Sequence, residues 1–160
     1  MRRVLVTGGA GFIGSHFVKL ALRTHTYWHI VNLDKLSYAG NLDNLTGLAD
    51  PTRHQFIKGD IADYETVCRV FSQGVDRVAD AVRRQAGLRS VFHHHCGGFV
   101  EAPWEIEQLM KSTDPKLVGL CLDTGHYRFG GGGDPLLAYR QFKDRIWHVH
   151  FKDCSPAVHE

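Results

Sequence analysis

Long apolar runs and a strong net charge are both absent from this sequence. No stretch approaches the roughly eighteen consecutive apolar residues that a membrane span requires. The apolar stretch that follows Arg2 and Arg3 is too short for the core of a signal peptide. The formal net charge of +2 is too small to favour nucleic acid or a membrane surface as partner. We therefore expect a cytoplasmic protein that binds neither.

Closely spaced cysteines are also absent. The four cysteines form no CxxC pair, a pattern typical of reduced thiols in a cytosolic protein: Cys68, Cys96, Cys121 and Cys154. A length of 160 residues suits one domain and is short for two. Histidine, in contrast, is abundant, because seven of the eleven histidines lie after residue 90.

Short runs rich in β-forming residues alternate with helical runs along the chain. This alternation predicts an α/β fold with a parallel sheet. The predicted strands are 3–6, 29–33, 55–58, 90–95, 117–122 and 145–151, and the predicted helices are 11–22, 64–71, 76–86, 103–112 and 135–142. Two successive helices around Gly74 mark a seam between two parts, 1–73 and 74–160. We expect these parts to merge into one sheet of about six strands with flanking helices. The glycines at 130–133 indicate a flexible loop or a close backbone approach.

A glycine-rich turn links the first predicted strand to the first helix. Gly8, Gly11 and Gly14 have the GxxGxxG spacing of a dinucleotide-binding turn, which brings pyrophosphate close to the backbone at a helix start. Asp34 ends the second strand, where a carboxylate accepts hydrogen bonds from the ribose hydroxyls. That carboxylate would repel the 2′-phosphate of NADP, although Lys35 could soften the repulsion. We therefore predict that NAD is the cofactor.

These residues carry a family resemblance. The segments VTGGAGFIGSH, NLDKLSYAGN and KGDIAD resemble the start of the extended short-chain dehydrogenases, within them the dTDP-glucose 4,6-dehydratases, over residues 1 to about 73. The resemblance implies a Rossmann-like fold and descent from a dehydratase, a lyase. It also implies NAD contacts from Phe12, Ile13, Asp34, Lys35, Leu36, Ser37, Asp60 and Ile61. Asp60 could equally cap the following helix.

The catalytic groups of that family have no clear counterpart. The family uses a Tyr-x-x-x-Lys pair and a Thr-Asp-Glu triplet from later in the chain. Tyr139 and Lys143 have the first spacing, but their surroundings differ, and a surface helix before the last strand is the alternative. Thr113 and Asp114 precede a proline instead of a glutamate. The catalytic residues stay unassigned, and we expect the full machinery to be lacking.

Histidines and one carboxylate end the three late strands. His93, His94 and His95 end the first of these predicted strands, Asp123 ends the next, and His150 lies near the end of the last. Ligands collect at such strand ends in parallel α/β folds. His148 and His150 are two residues apart and therefore point to one face of their strand. An imidazole with a carboxylate suits Mn²⁺, Co²⁺ or Zn²⁺. For each histidine alone, the alternative is a core or surface residue without a ligand.

A second resemblance covers about residues 75 to 156. The segments GVDRVADAV, VFHHHCGGFVE, KLVGLCLDTGH and RIWHVHFKD resemble the sugar isomerase/epimerase-type TIM barrels, among them the inosose dehydratases. The resemblance implies that Asp123 and His150 are metal ligands and that His126 and Lys152 face the substrate. Two carboxylate ligands of that family have no counterpart. No acid stands at 95–97, and Glu101 is too far along the chain to replace it. The last carboxylate of that family comes from an eighth strand, for which the resemblance finds no counterpart here.

We therefore interpret the chain as a chimera of two incomplete sugar enzymes, a Rossmann-like first part joined to a partial TIM-barrel-like second part, either engineered or a gene fusion. Three functions are open. The first is an NAD-binding protein with the signature of a nucleotide-sugar dehydratase. The second is a metal-dependent dehydratase or isomerase of a sugar or polyol, and the third is an inactive chimera. A small sugar or polyol is the expected partner in the active cases, and the oligomeric state is left open.

Overall fold

The computed structural model describes residues 2–155, so the end of the predicted second part, 156–160, lies outside the described residues. The chain divides into two compact units, Met1–Val67 and Cys68–Glu160. Each described unit contains one parallel three-stranded sheet whose strands follow chain order.

The first unit is built on a β-α-β-β succession. Its elements are β1 (Arg2–Thr7), α1 (Phe12–Thr24), β2 (Trp28–Asp34), two short 3₁₀ turns (Leu42–Leu45 and Pro51–Arg53) and β3 (His54–Lys58). Strand β2 lies in the middle of the sheet. Val18 and Leu22 on α1 are buried against Ile30 on β2, so one face of α1 packs on the sheet.

The second unit alternates helices with strands. Its elements are α2 (Tyr64–Ala86, which begins in the first unit), β4 (Ser90–His93), α3 (Pro103–Ser112), β5 (Val118–Asp123), α4 (Thr124–Tyr127), a wider turn (Arg128–Gly132), α5 (Pro135–Phe142) and β6 (Ile146–His150). Strand β5 is central, and all of its residues are buried.

The two faces of β5 have different surroundings. Val118, Leu120 and Leu122 belong to the hydrophobic core together with residues of α3 and α5, such as Leu109 and Phe142. Successive side chains of a strand point to opposite faces. The side chains of Cys121 and Asp123 therefore point to the face opposite the helical core. Gly119 lies at the same side of the alternation but has no side chain. Burial of each large apolar side chain contributes about 1.5–3 kcal/mol to the stability of the fold. This contribution determines which face of β5 packs against the helices.

Two sequence-based expectations are wrong. The described residues form two three-stranded sheets instead of one sheet of about six strands. Hydrophobic periodicity predicts that strands exist, whereas edge pairing depends on tertiary packing. The helices predicted at 64–71 and 76–86 are one helix, α2. A glycine inside a helix lowers the stability of the helix by only about 1 kcal/mol. The cost of Gly74 is offset by the apolar face of α2, on which Val75 and Ala79 pack into the core.

An arginine immediately before the last strand of each unit joins a helix end to the neighbouring strand. The Arg53 guanidinium donates to the carbonyl oxygens of Leu22, His25 and Trp28 at 2.7–3.1 Å. The Arg145 guanidinium donates to the carbonyl oxygens of Met110 and Val118 and to Oγ1 of Thr113 at 2.5–3.2 Å. Both arginines satisfy carbonyl groups that a helix end leaves unpaired. No helix among residues 2–155 is long and apolar enough to cross a membrane.

Candidate functional site

The glycine-rich turn lies between β1 and α1. Gly8 has φ of +70°, a conformation that side chains disfavour. A Cβ on Gly14 would overlap the carbonyl oxygen of Gly8 and lie 2.7 Å from Cα of Gly9. The absence of a side chain at Gly14 therefore lets α1 start directly against the turn.

The start of α1 leaves backbone donors for a ligand. Gly11 precedes the helix and makes no side-chain capping bond, and the N–H of Ser15 donates to the Gly11 carbonyl oxygen at 2.9 Å. The N–H groups of Phe12, Ile13 and Gly14 come before this first helical bond, so the helix offers them no partner. The side chains of Phe12 and Ile13 are exposed. Such a helix start attracts an anionic group.

Asp34 is buried at the end of β2 and connects the turn to the loop that follows. Its Oδ2 accepts a hydrogen bond from the N–H of Ala10 at 2.7 Å, and its Oδ1 accepts one from the N–H of Leu36 at 2.8 Å. Leu36 has φ of +55°, and a Cβ on Gly40 would lie 2.9 Å from Oδ1 of Asp34. Each carboxylate oxygen keeps a further lone pair for a ribose hydroxyl.

Lys35 and Asp60 form an ion pair. The hydrogen bond and the charge of Asp60 raise the pKa of Lys35. The Asp60 carboxylate also accepts a hydrogen bond from the N–H of Ala62 at 3.0 Å. The alternative role of Asp60 as a helix cap is wrong, because α2 begins at Tyr64 and Asp63 accepts from the N–H of Glu65 at 3.1 Å.

The remaining predicted NAD contacts, Ser37 and Ile61, are exposed. The structure brings Asp34 to the glycine-rich turn and pairs Lys35 with Asp60. The cofactor roles of all these residues stay predictions.

A second cluster lies on the face of the β4-β5-β6 sheet opposite the helical core. Residue pairing aligns His93 with Cys121, Cys121 with His148, and Asp123 with His150. The pairing shifts between Leu120 and Cys121, leaving Trp147 without a counterpart. The Trp147 ring lies where a side chain on residue 119 would be, so Gly119 makes room for it.

Asp123 is the centre of this cluster and is fully buried. Its Oδ2 lies 2.7 Å from Nζ of Lys152, 3.3 Å from Nε2 of His93 and 3.4 Å from Nδ1 of His150. Its Oδ1 accepts a hydrogen bond from the N–H of His126 at 3.0 Å. Burial alone would raise the pKa of Asp123, but the hydrogen bonds from His126, Lys152 and His93 outweigh it and hold the pKa below its usual value. The carboxylate is therefore ionised.

His94 has a structural place in the cluster. Burial, reinforced by His93, lowers the pKa of His94 to about 4. Its Nε2 accepts a hydrogen bond from the N–H of Asp123 at 3.2 Å, which requires the neutral ring. Its Nδ1 is buried and has no hydrogen-bond partner among residues 2–155.

Lys152 and His126 form a polar pair beside Asp123. Nζ of Lys152 lies 3.3 Å from Nε2 of His126. Burial lowers the pKa of His126, which favours its neutral ring. Thr124 holds the Lys152 backbone in place, because its hydroxyl donates to the Lys152 carbonyl oxygen at 2.6 Å and accepts from the Lys152 N–H at 2.9 Å. The pair combines a cation with a neutral imidazole, which suits proton transfer.

Two groups of side chains in this cluster can hold a metal ion. The ligand atoms of His93, Asp123 and His126 lie within 4.8 Å of one another, as do those of His93, Cys121 and His150. The predicted ligands Asp123 and His150 belong to different groups, but Nδ1 of His150 lies 3.4 Å from Oδ2 of Asp123. His93 and Cys121 are not among the ligands that the sequence predicts. Alternation along β4 and β5 was the available signal, but it needs the pairing register to become a site.

The other motifs lie elsewhere in the second unit. A Cβ on Gly130 would lie 2.9 Å from the carbonyl oxygen of Glu101, and one on Gly132 would overlap the Tyr127 ring. These two glycines therefore mark a close approach. Tyr139 is exposed on α5, and Lys143 is exposed just beyond that helix.

Comparisons with known proteins divide the chain in two. Residues 51–160 match the family model for the xylose isomerase-like TIM barrel, and residues 5–80 match the model for GDP-mannose 4,6 dehydratase. An inosose dehydratase of Lacticaseibacillus casei is 45% identical over 80 residues, which are 50% of this chain and 26% of that protein. A dTDP-glucose 4,6-dehydratase of Neisseria meningitidis serogroup B is 53% identical over 73 residues, 46% of this chain and 20% of that protein. The resemblance to two families is confirmed.

A solved structure shares the fold. The probable 3-DHS dehydratase AsbF of Bacillus anthracis aligns with a TM-score of 0.52 and 14% identity, over 99% of this chain and 65% of that chain. The aligned segments span about a quarter of the inosose dehydratase and a fifth of the dTDP-glucose 4,6-dehydratase.

Proposed function

We propose that this chain, which belongs to the xylose isomerase-like TIM barrel family, binds NAD at the glycine-rich turn of its first unit. We assign residues 1–73 to the nucleotide-binding part and residues 74–160 to the sugar-enzyme part. The similarity of the first part to a dTDP-glucose 4,6-dehydratase supports this assignment.

The observation that carries the proposal is the uncapped start of α1. Its free N–H groups at Phe12, Ile13 and Gly14 suit the pyrophosphate of a dinucleotide. Asp34 is held at the turn by the Ala10 N–H and would accept from the adenosine ribose. Bound NAD supplies a hydride acceptor for oxidation of a substrate hydroxyl.

The ion pair between Lys35 and Asp60 bears on cofactor choice. Because Asp60 already neutralises Lys35, this lysine offsets little of the repulsion between Asp34 and a 2′-phosphate. We therefore propose a preference for NAD over NADP. We propose binding alone and not turnover of a nucleotide sugar, because Tyr139 and Lys143 are exposed residues of the second unit.

Calorimetric titration with NAD and NADP tests this function. We expect NAD to bind more tightly, and a hundredfold excess over Kd to stabilise the first unit by about 2.7 kcal/mol. Asp34→Ala should weaken NAD binding at least tenfold and narrow its advantage over NADP. Asp43→Ala removes an exposed carboxylate of the same unit and should change neither the affinity for NAD nor its advantage over NADP. Equal binding of the two dinucleotides by the parent chain would overturn the proposal.

A second function is favoured by the environment of Asp123. An ionised, fully buried carboxylate that two imidazoles approach at 3.3–3.4 Å suits a divalent cation, whose ligands in a tetrahedral site lie about 3.4 Å apart. We propose that Asp123 and His150 hold such an ion and that a small sugar or polyol binds there, as the likeness to inosose dehydratases supports. A bound cation polarises a substrate oxygen.

The residues around this site have separate roles in that chemistry. Lys152 and His126 would move a proton at a substrate hydroxyl, with Nζ of Lys152 or Nε2 of His126 as the atom that carries it. Thr124 orients Lys152 through its backbone. The reaction class is dehydration or isomerisation of the sugar or polyol.

Metal analysis of the purified, tag-free chain tests this second function. The parent chain should hold a divalent ion, and Asp123→Asn should lose it because the amide carries no charge for the cation. Asp144→Asn, at an exposed position before β6, is the matched control and should retain the ion. A parent chain without bound metal after incubation with Mn²⁺, Co²⁺ and Zn²⁺ would remove this function. If NAD also failed to bind, an inactive chimera would remain.

A further inference from the structure

We infer that the second unit holds a thiophilic divalent cation, Zn²⁺ or Co²⁺, through the Cys121 thiolate and the His93 imidazole together with Asp123 and His150. This inference rests on the proposed metal function and names the ligand set and the class of ion.

The first support is the position of the donors in the sheet. His93 is paired with Cys121 across β4 and β5, and Asp123 is paired with His150 across β5 and β6. The donor atoms of His93, Cys121 and His150 lie within 4.8 Å of one another. Ligand atoms around tetrahedral zinc lie about 3.3–3.8 Å apart. The 4.8 Å limit exceeds this range by about 1 Å, so metal binding requires the three donors to move closer together.

A second support is that Asp123 reaches the same two imidazoles. Its Oδ2 lies 3.3 Å from Nε2 of His93 and 3.4 Å from Nδ1 of His150. The carboxylate therefore approaches the two imidazoles that Cys121 also approaches, which makes it the fourth donor of the inferred set. Four ligands of mixed sulfur, nitrogen and oxygen type match the tetrahedral preference of Zn²⁺.

The charge balance of the buried site favours a dication. Cys121 is 2% exposed, and Asp123 is 0% exposed. A thiolate and a carboxylate carry two negative charges, which a dication neutralises, so the complex avoids an unpaired buried charge. Coordination replaces the proton on Sγ of Cys121, and this proton is released to solvent. Sulfur and imidazole donors select Zn²⁺ or Co²⁺ over Mg²⁺, which prefers oxygen.

Lys152 competes with the cation for Asp123. Its Nζ lies 2.7 Å from Oδ2, the oxygen that the two imidazoles also approach. The Lys152 side chain is 49% exposed, so it has room to swing into solvent when a metal binds. Removal of the ammonium group in Lys152→Gln should therefore increase the affinity for Co²⁺ at least tenfold.

Titration of the full chain with Co²⁺ tests the ligand set, because thiolate coordination gives a near-ultraviolet charge-transfer band in addition to the visible bands of tetrahedral Co²⁺. The parent chain should show both features. Cys121→Ser should lose the charge-transfer band, and His93→Gln should weaken Co²⁺ binding at least tenfold. Cys154→Ser is the matched control and should retain the band.

The outcomes separate this inference from the function on which it rests. Visible bands without a charge-transfer band in the parent chain would mean that Asp123 and His150 bind the ion without sulfur. That result overturns the inference and leaves the metal function intact. Loss of the charge-transfer band in Cys154→Ser but not in Cys121→Ser also overturns it. Absence of any Co²⁺ signal in the parent chain overturns both the inferred ligand set and the proposed metal function.

A measurement on the parent chain guards against variants that fail to fold. X-ray absorption of the Zn²⁺-loaded chain should show one sulfur at about 2.3 Å and nitrogen or oxygen ligands at about 2.0–2.2 Å. A shell of nitrogen and oxygen alone would overturn the inference, whatever the variants do.

Discussion

The two units have the same local architecture but different chemistry at the carboxyl ends of their strands. Each has three parallel strands in chain order, and each has an arginine before the last strand that binds the carbonyl groups of a helix end. In the first unit the candidate site consists mainly of backbone N–H groups at the start of α1. In the second unit it consists of side chains around the buried Asp123.

The two kinds of site tolerate substitutions differently. A backbone site depends on what is missing, namely the side chains at Gly8 and Gly14, so substitutions there act through sterics. A side-chain site depends on a few donors brought together by strand register, so conservative substitutions there change binding more than folding. Substitutions of each kind test whether this division holds.

The largest effect should come from Gly14→Ala. Its Cβ would overlap the Gly8 carbonyl oxygen, and backbone atoms on both sides cannot yield as a flexible side chain would. We expect the first unit to lose about 3–5 kcal/mol of unfolding free energy. Chemical denaturation followed by hydrogen exchange of the β2 amides measures this loss.

The matched glycine control should change the unfolding free energy in the opposite direction. A Cβ on Gly74 meets nothing within 4 Å, and this residue lies inside α2. Gly74→Ala should therefore stabilise the chain by about 0.5–1 kcal/mol. If both substitutions had the same small effect, steric closure of the glycine-rich turn would not be what shapes the first site.

The glycine-rich turn also shows what the sequence predicts well. Gly8, Gly11, Gly14 and Asp34 are constrained by local sterics and by one neighbouring strand, so their spacing alone was enough to place them. Every strand that the sequence predicts lies close to its observed bounds for a similar reason, because the pattern of apolar residues that marks a strand depends on the strand's own sequence.

Features that depend on contacts distant in sequence were predicted less well. Asp123 and His150 were brought together by the rule that strand ends converge, but His93 and Cys121 joined them only through the register of β4, β5 and β6. The unpaired Trp147 shifts that register, and no composition pattern signals the shift. The division into two sheets likewise depends on edge pairing that periodicity does not encode.

An intermediate effect should follow from removal of either bridging arginine. Arg145→Met leaves the carbonyl groups of Met110 and Val118 without their donor, and Arg53→Met does the same to Leu22 and its neighbours. Each substitution should cost about 2–3 kcal/mol, since partly buried carbonyl groups lose hydrogen bonds.

Hydrogen exchange locates these two losses. Arg53→Met should reduce the protection of β2 amides, and Arg145→Met should reduce that of β5 amides. Arg140→Met, at an exposed position on α5, is the control and should change stability by less than about 0.5 kcal/mol. Unchanged protection in both variants would show that Arg53 and Arg145 do not have equivalent structural roles in the two units.

The smallest effect should be a pH dependence of the first unit that arises from His54. This half-buried residue begins β3, and its Nε2 lies 3.4 Å from Nδ2 of the buried Asn32, which can donate only to the neutral ring. Burial lowers the pKa of His54. As pH falls through the ordinary histidine value of about 6.5, the unfolded chain therefore takes up a proton before the folded unit does. The stability of the first unit should be full above that pH and decrease below it, toward the lowered pKa of the folded state.

His54→Gln should flatten this slope, whereas His16→Gln, at an exposed position on α1, should leave it unchanged. Equal slopes in the parent chain and His54→Gln, measured by denaturation between pH 5 and pH 8, would assign the dependence to another group.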